Sequence, residues 1–271
     1  MPAAPAPRAK RDQKPRLDQL LVMRGLAESG ARARALVMAG VVFTGTRRLD
    51  KPGLRLAPDA PLEVRGRDHR WVSRGGLKLD HALQHFEIEP LGAVALDIGA
   101  STGGFTDVLL ARGARRVYAV DVGHGQLAWK LRNDPRVVVR ERTNARYIGR
   151  DEVPDGADLI VCDASFIGLR TVLPAPLTLA AASAHLVALI KPQFEVGPAA
   201  VGRGGVVRDA AAHQQVCDSI DEWLDTRPGW RVIGVTESPI TGPKGNREFL
   251  IAAARGAARL RPRKTRNGRS E

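Results

Sequence analysis

Cysteine is nearly absent from this chain of 271 residues: Cys162 and Cys217 stand far apart, each in apolar surroundings. Such usage excludes a disulfide framework and a cysteine-based zinc site, and it fits core thiols kept reduced in the cytoplasm. Aromatic residues are scarce at 4%, although a hydrophobic content of 44% is enough for a core. No apolar run of about 18 residues occurs, which excludes a membrane-spanning helix. Met1 to Arg16 is basic and rich in Pro and Ala without an apolar centre, so it is no secretory signal. No spacing of ligand residues suggests a metal, and none is expected.

Acidic residues are in short supply at the two ends. Residues 1–70 carry 15 Lys/Arg against 7 Asp/Glu, residues 255–271 carry 7 against 1, and residues 71–254 carry 20 against 21, for a net charge of +13. A near-neutral body between two basic segments points to a polyanionic partner held from both ends. For the tail alone, solubilising charge is an equal alternative.

The loops that bind phosphates are missing too. Val94-Ala95-Leu96-Asp97-Ile98-Gly99-Ala100-Ser101-Thr102-Gly103-Gly104-Phe105 reads as a buried strand, a glycine-rich turn and an amphipathic helix. Its Gly99-x-x-x-Gly103-Gly104 is neither G-x-G-x-x-G nor a P-loop. Asp97, just before the first glycine, would repel a phosphate and welcome a cation. About twenty residues on, Val117 to Val122 is a second buried strand whose Asp121 suits a ribose diol. S-adenosylmethionine joins a sulfonium, an α-ammonium and a ribose without a phosphate, and it is the expected cofactor. Asp97, Gly99, Ser101, Gly103, Gly104, Asp121 and Asp163 are its expected contacts, with Asn144 placed to read an adenine edge. The alternative is a tight structural turn.

Along the chain, residues 1–15 read as a disordered basic N-terminus. Residues 16–64 read as a small α+β domain. A helix from Arg16 carries Leu17, Leu20 and Leu21 on one face and ends at Gly25; a second, Gly30 to Ala39, is capped by Ser29 and has an Ala35-Leu36-Val37 core face. A hairpin-rich piece runs from Val41 to Val64. Arg16-Leu17-Asp18 with Leu20, then Ser29-x-Ala31-Arg32-x-x-x-Leu36-x-x-x-Gly40-x-Val42, resembles the alpha-L RNA-binding domain named for a ribosomal protein. The resemblance implies RNA contacts from Arg16, Arg32 and Arg34. A helical hairpin that only packs on the main body is the alternative. Residues 65–72 read as a linker, 73–254 as the main domain and 255–271 as a basic tail.

In the main domain, Ser73-Arg74-Gly75-Gly76 leads into a helix with Lys78 on its first turn, where the helix dipole disfavours a cation. Val137 to Val139, Ala157 to Asp163 and His185 to Lys191 read as the third, fourth and fifth strands. A Leu- and Ala-rich helix is expected after Phe166, a mobile substrate loop over Gln193 to Asp209, and a helix from Ala210 to Leu224. Arg231 to Glu237 and Glu248 to Ala252 are the last strands. The alternation predicts a doubly wound, Rossmann-like α/β sheet with an antiparallel edge strand. Function in such sheets gathers at the carboxyl ends of the strands, where Asp97, Asp121, Asp163 and Lys191 fall.

The Asn/Asp-Pro-Pro-aromatic loop of amine methylation is missing: Asp163-Ala164-Ser165-Phe166 stands in its place, and Cys162 should face away from the site. Lys78, Asp163, Lys191 and Glu248 remain. Two cations and two anions suit a ribose hydroxyl, whose proton must go to a neutral base, and a desolvated lysine crowded by a second lysine is a candidate. Lys191 is the expected acceptor, with Lys78 and Asp163 orienting the hydroxyl and Glu248 holding a lysine. Which lysine is neutral stays open, and surface ion pairing of all four is the alternative.

Those four residues match the Lys-Asp-Lys-Glu tetrad of the FtsJ-like ribose 2′-O-methyltransferases. With the alpha-L-like segment, Ser73-Arg74-Gly75-Gly76-x-Lys78, Gly99 to Thr106, Cys162-Asp163-Ala164-Ser165-Phe166 and Ile190-Lys191-Pro192-Gln193-Phe194-Glu195, the chain resembles the TlyA family over residues 16–254. The resemblance implies S-adenosylmethionine-dependent 2′-O-methylation of ribosomal RNA or ribosomal subunits, at cytidine. The family also carries the label haemolysin, so a membrane-active protein is a second reading and a non-catalytic RNA-binding factor a third. Where two-subunit members have Arg-x-Trp-Val, this chain has His69-Arg70-Trp71-Val72, a departure that bears on whether one subunit or both are modified.

Overall fold

The computed structural model describes residues 14–27, 29–64, 69–197, 201–202 and 204–258. The disordered stretch expected over 1–15 and the tail expected over 255–271 lie outside them except at 14–15 and 255–258, and so do residues 65–68 of the expected linker. The chain divides into two compact units, Met1–Arg70 and Trp71–Glu271.

The first unit holds α1 (Leu17–Met23), α2 (Gly30–Met38) and an antiparallel sheet of β1 (Val42–Thr44), β2 (Arg47–Arg48) and β3 (Glu63–Val64), in the order β2-β1-β3. Leu17, Leu20 and Leu21 bury one face of α1. Ser29 Oγ accepts from Arg32 N–H at 3.1 Å and so satisfies an otherwise free donor of α2. The core face of α2 is Ala33 and Val37, with Leu36 half-buried and Ala35 exposed. It differs from the expected Ala35-Leu36-Val37 because residues four apart share a helix face and consecutive ones do not.

The second unit runs α3 (Gly75–His85), β4 (Val94–Ile98), α4 (Gly104–Ala111), β5 (Arg116–Val120), α5 (Trp129–Arg132), β6 (Val137–Arg140), β7 (Ala157–Cys162), α6 (Leu169–Val172), α7 (Pro174–Thr178), β8 (Ala180–Ile190), α8 (Pro192–Glu195), α9 (Ala210–Asp225), β9 (Trp230–Glu237) and β10 (Phe249–Arg255). The sheet order is β6-β5-β4-β7-β8-β10-β9. The first five strands are parallel, and β10 runs antiparallel to both β8 and β9, one strand in from that edge. Side chains alternate between two cores. Leu96, Ile98, Ile160 and Cys162 pack with α6, α7 and α9, while Ala95, Leu159 and Val161 pack with α3 and α4. Burial on both faces explains why these strands read as unbroken apolar runs.

Local differences have local causes. The helix expected after Phe166 is two short ones, because Pro174 cannot continue α6 and instead opens α7. The segment expected as loop from Gln193 begins inside α8, which Pro192 starts. Among the described residues no helix is long and apolar enough to cross a membrane.

Candidate active site

The turn after β4 is built on left-handed glycines, Gly99 at φ 79° and Gly103 at φ 95°. A β-carbon on Gly99 would come within 3.0 Å of the Ala164 backbone, so glycine lets the loops after β4 and β7 close on each other. A β-carbon on Gly104 would overlap Ser73 Oγ, which shows how closely the segment before α3 presses on the start of α4. That segment is also tied by hydrogen bond: Val72 N–H donates to Asp107 Oδ2 at 2.8 Å, and Lys130 Nζ holds the other oxygen at 2.8 Å.

Asp97, at the tip of β4, is wholly buried. Its Oδ2 accepts from Thr106 Oγ1 at 2.6 Å, and its Oδ1 is buried with no hydrogen-bond partner. Burial pushes its carboxyl up to about 7; the Thr106 hydrogen bond opposes the rise and the negative charge of Asp163 adds to it. Just past the next strand, Asp121 Oδ2 accepts from Ser101 N–H at 2.8 Å and Oδ1 from Gly123 N–H at 2.6 Å. Ser101 itself has φ 47° and donates from Oγ to Gln126 Oε1 at 3.1 Å. A backbone cradle closed to β-carbons, a buried carboxylate oxygen in want of a donor and a second carboxylate at the adjacent strand end fit S-adenosylmethionine. Asn144 is exposed, and its Oδ1 accepts from Arg146 N–H at 3.1 Å, capping the 3-10 turn Ala145–Tyr147. Its oxygen serves the chain's own turn.

Lys191 follows β8. Its Nζ lies 2.7 Å from Asp163 Oδ1, 2.8 Å from Ser165 Oγ and 3.1 Å from Asp163 O. The contact with Oδ1 is an ion pair without hydrogen-bond alignment; the aligned donations go to Ser165 and the Asp163 carbonyl. Lys78 Nζ meets Glu248 Oε2 at 2.6 Å inside the protein. Phe249 pairs with Ile190 in the ladder between β10 and β8, so Glu248 and Lys191 leave the sheet side by side. A β-carbon on Gly75, one helical turn before Lys78, would stand 3.6 Å from Asp163 Oδ2. Each lysine therefore faces a carboxylate rather than the other lysine.

Cys162 belongs to the opposite core, and burial pushes its thiol up to about 12. Thr106 and Asp107 are buried, and nothing in a sequence marks a polar residue that tertiary contacts bury; Ser165 is exposed. Phe166 is a further exposed residue of the loop after β7. It has φ 65°, is 90% exposed, and its ring centroid lies 5.2 Å from that of Phe194. In a chain so poor in aromatics, an aromatic three residues past a strand-ending carboxylate was the available signal. In the first unit, Arg16 Nε and Nη2 both reach Asp18 at 3.0 Å, Arg34 Nη1 approaches the same carboxylate at 3.9 Å, and Arg32 is exposed. Among the described residues no cluster of His, Cys, Asp and Glu could hold a metal.

A family model described as FtsJ-like methyltransferase matches residues 71–255. The chain is 48% identical over 237 residues to the 16S/23S rRNA (cytidine-2′-O)-methyltransferase TlyA of Mycobacterium tuberculosis, covering 87% of this chain and 88% of that protein. It is 40% identical over 240 residues to hemolysin A of Brachyspira hyodysenteriae, covering 87% of this chain and 98% of that one. A solved structure of a candidate hemolysin from Streptococcus thermophilus matches with a TM-score of 0.71 at 41% identity, over 93% of this chain and 92% of that chain.

Proposed function

The chain belongs to the FtsJ-like methyltransferase family, and on that premise we propose that it transfers a methyl group from S-adenosylmethionine to a ribose 2′-hydroxyl of ribosomal RNA, at a cytidine. The observation that carries this reading is the pairing of Lys191 with Asp163 and of Lys78 with Glu248 beside the Gly99–Gly104 turn. When bound, S-adenosylmethionine supplies a methyl group made electrophilic by its sulfonium. Asp97 would offer its unpartnered oxygen to a cationic group, the left-handed Gly99 and Gly103 give the turn beside it its course against Ala164 and Leu131, and Asp121 would take the ribose diol with a carboxylate already oriented by Ser101 and Gly123.

On the acceptor side, Lys191 first gives an ammonium proton to solvent past Asp163 and then takes the hydroxyl proton at Nζ as the methyl group moves to the oxygen, held in place by Ser165 Oγ and the Asp163 carbonyl. Lys78 and Glu248 form the closed pair, Glu248 being 0% exposed. Asp163 is 21% exposed, so the pair with Lys191 is the one through which a proton reaches solvent. Residues 16–64 serve as an alpha-L RNA-binding domain in which Arg16, Arg32 and Arg34 contact phosphates.

The test is labelled-methyl transfer to unmodified ribosomal subunits, wild type beside Lys191→Ala, with the product mapped by resistance to alkaline cleavage. Label in a resistant linkage that the variant fails to make supports the reading. Label at an alkali-sensitive position moves the target to a base, and no label on either subunit overturns the reading.

A further inference from the structure

Asn246 is buried and lies two residues before Glu248. Its side chain joins segments distant in sequence. Val207 N–H donates to Asn246 Oδ1 at 3.1 Å, and Asn246 Nδ2 donates to Gly205 O at 3.0 Å. Its main-chain carbonyl accepts from Gly242 N–H at 2.8 Å and closes the turn that leads to Glu248. That turn decides where the carboxylate lies, since a β-carbon on Gly242 would overlap Glu248 Oε1. The Val207 peptide is held from its other side as well: His213 Nε2 is 3.0 Å from Val207 O, and the buried His213 ring packs 5.7 Å from Phe249, the neighbour of Glu248.

None of these bonds belongs to the sheet, whose ladders from β10 to β8 and β9 run through Phe249–Arg255 without them. Gly205–Asp209 has no strand or helix of its own, only the isolated bridge between Gly202 and Val206. A buried amide satisfied at both ends rigidifies what it joins. Here it joins the segment before α9 to the turn that delivers a carboxylate to Lys78.

We infer that Asn246 is a positioning residue for methyl transfer: it locks Gly205–Asp209 onto the Gly242–Asn246 turn and thereby sets Glu248 against Lys78. This rests on the function proposed above. The cofactor cradle, on the far side of β7 from this turn, does not depend on it.

The experiment uses the full chain with Asn246→Ala and the near-isosteric Asn246→Asp, which keeps an acceptor for Val207 N–H but loses the donor to Gly205 O until its carboxyl is protonated. Single-turnover transfer at saturating S-adenosylmethionine and ribosomal subunits is expected to fall by about tenfold or more in Asn246→Ala, because a reacting group shifted by a fraction of an ångström loses its alignment. Cofactor affinity should stay at the wild-type value. The rate of Asn246→Asp relative to wild type should rise as pH is lowered toward the carboxyl range, while that of Asn246→Ala stays flat. An unchanged rate in both variants, or a cofactor affinity that falls in step with the rate, would overturn the inference. Amide hydrogen exchange gives a readout independent of activity: residues 205–209 and 242–248 should lose protection together in Asn246→Ala. Unchanged protection would overturn the inference even if wild type proved inactive on ribosomal subunits, a result that by itself would overturn the proposed function.

Discussion

Lys191 Nζ lies 2.7 Å from Asp163 Oδ1 across the tips of two neighbouring parallel strands, β8 and β7. An amine at that place fixes the loop that carries Ser165, and in the reaction proposed above it also receives the proton of the entering hydroxyl. Lys191→Ala is expected to lower methyl transfer by about 10²–10⁴-fold, the usual contribution of a positioned proton acceptor. Lys191→Arg should fail as well, because a guanidinium does not give up its proton. S-adenosylmethionine binding, measured by calorimetry, should survive both changes. A Lys191→Ala protein that transfers at the wild-type rate would remove Lys191 from the role.

The pair formed by Lys78 and Glu248 makes a different prediction because its carboxylate is wholly buried and its lysine largely so. Deleting one member strands a buried charge, which typically costs about 3–5 kcal/mol, whereas replacing both with apolar groups is often neutral. Lys78→Met and Glu248→Leu should each lower the melting temperature, and the double variant should melt above either single one. None of the three should transfer methyl groups. A double variant whose destabilisation is the sum of the singles would show that the two side chains are not coupled.

The architecture was legible because its strands are buried on both faces and read as apolar runs, several of them closing on Asp or Lys at the carboxyl end. Lys78, Asp163, Lys191 and Glu248 are scattered along the chain, and only the rule that α/β sites gather at strand ends joins them on paper. What could not be read was who pairs with whom. That Asp163 takes Lys191 depends on the parallel pairing of β7 with β8, and that Glu248 takes Lys78 depends on where α3 lies against the sheet. The cap made by Asn144, the burial of Thr106 and Asp107, and the bridge through Asn246 all depend on tertiary contacts that carry no local pattern. The helix broken at Pro174 was legible in principle, since proline cannot continue a helix.

Asp97 links stability to pH. Its carboxyl, held near 7 in the folded protein mainly by burial, titrates close to 3.8 when unfolded. The folded state then binds the extra proton between those values, so stability is fully present below about 4 and falls as pH rises toward about 7. Melting temperatures of wild type and Asp97→Asn, taken from pH 4 to pH 8, should show the wild type losing ground over that window and running parallel to the variant above it. If the ionised carboxylate receives a cationic group of the cofactor, S-adenosylmethionine binding should also release a proton near pH 6. Calorimetry in buffers of different ionisation enthalpy would detect it.

Phe166 holds an unfavourable backbone conformation and leaves its ring almost wholly in solvent, beside the loop that Lys191 fixes. An exposed ring at such a place suits stacking with a nucleobase, worth about 1–3 kcal/mol per base. Phe166→Ala should lower kcat/KM toward ribosomal subunits by about 5- to 150-fold on that scale, with melting temperature and cofactor affinity unchanged. Unaltered kcat/KM would leave the ring without a part in substrate recognition.

The first unit has its own core, Leu17, Leu21, Ala33, Val37, Val42 and Leu49, so its removal does not open the core of the second. Deleting residues 1–65 should therefore leave S-adenosylmethionine binding intact while weakening RNA. The dependence of affinity on salt separates phosphate contacts from other losses, since each phosphate neutralised contributes about 0.7–0.9 to the slope of log affinity against log salt. Arg32 and Arg34 stand exposed on one short helix, Arg34 with only a 3.9 Å ion pair to Asp18, while Arg16 is hydrogen-bonded to that carboxylate. Arg32→Ala and Arg34→Ala should thus each flatten the slope by about one contact, and Arg16→Ala should also disturb the start of α1. A deletion that binds RNA with wild-type affinity and slope would place the phosphate grip elsewhere on the chain and end the alpha-L assignment.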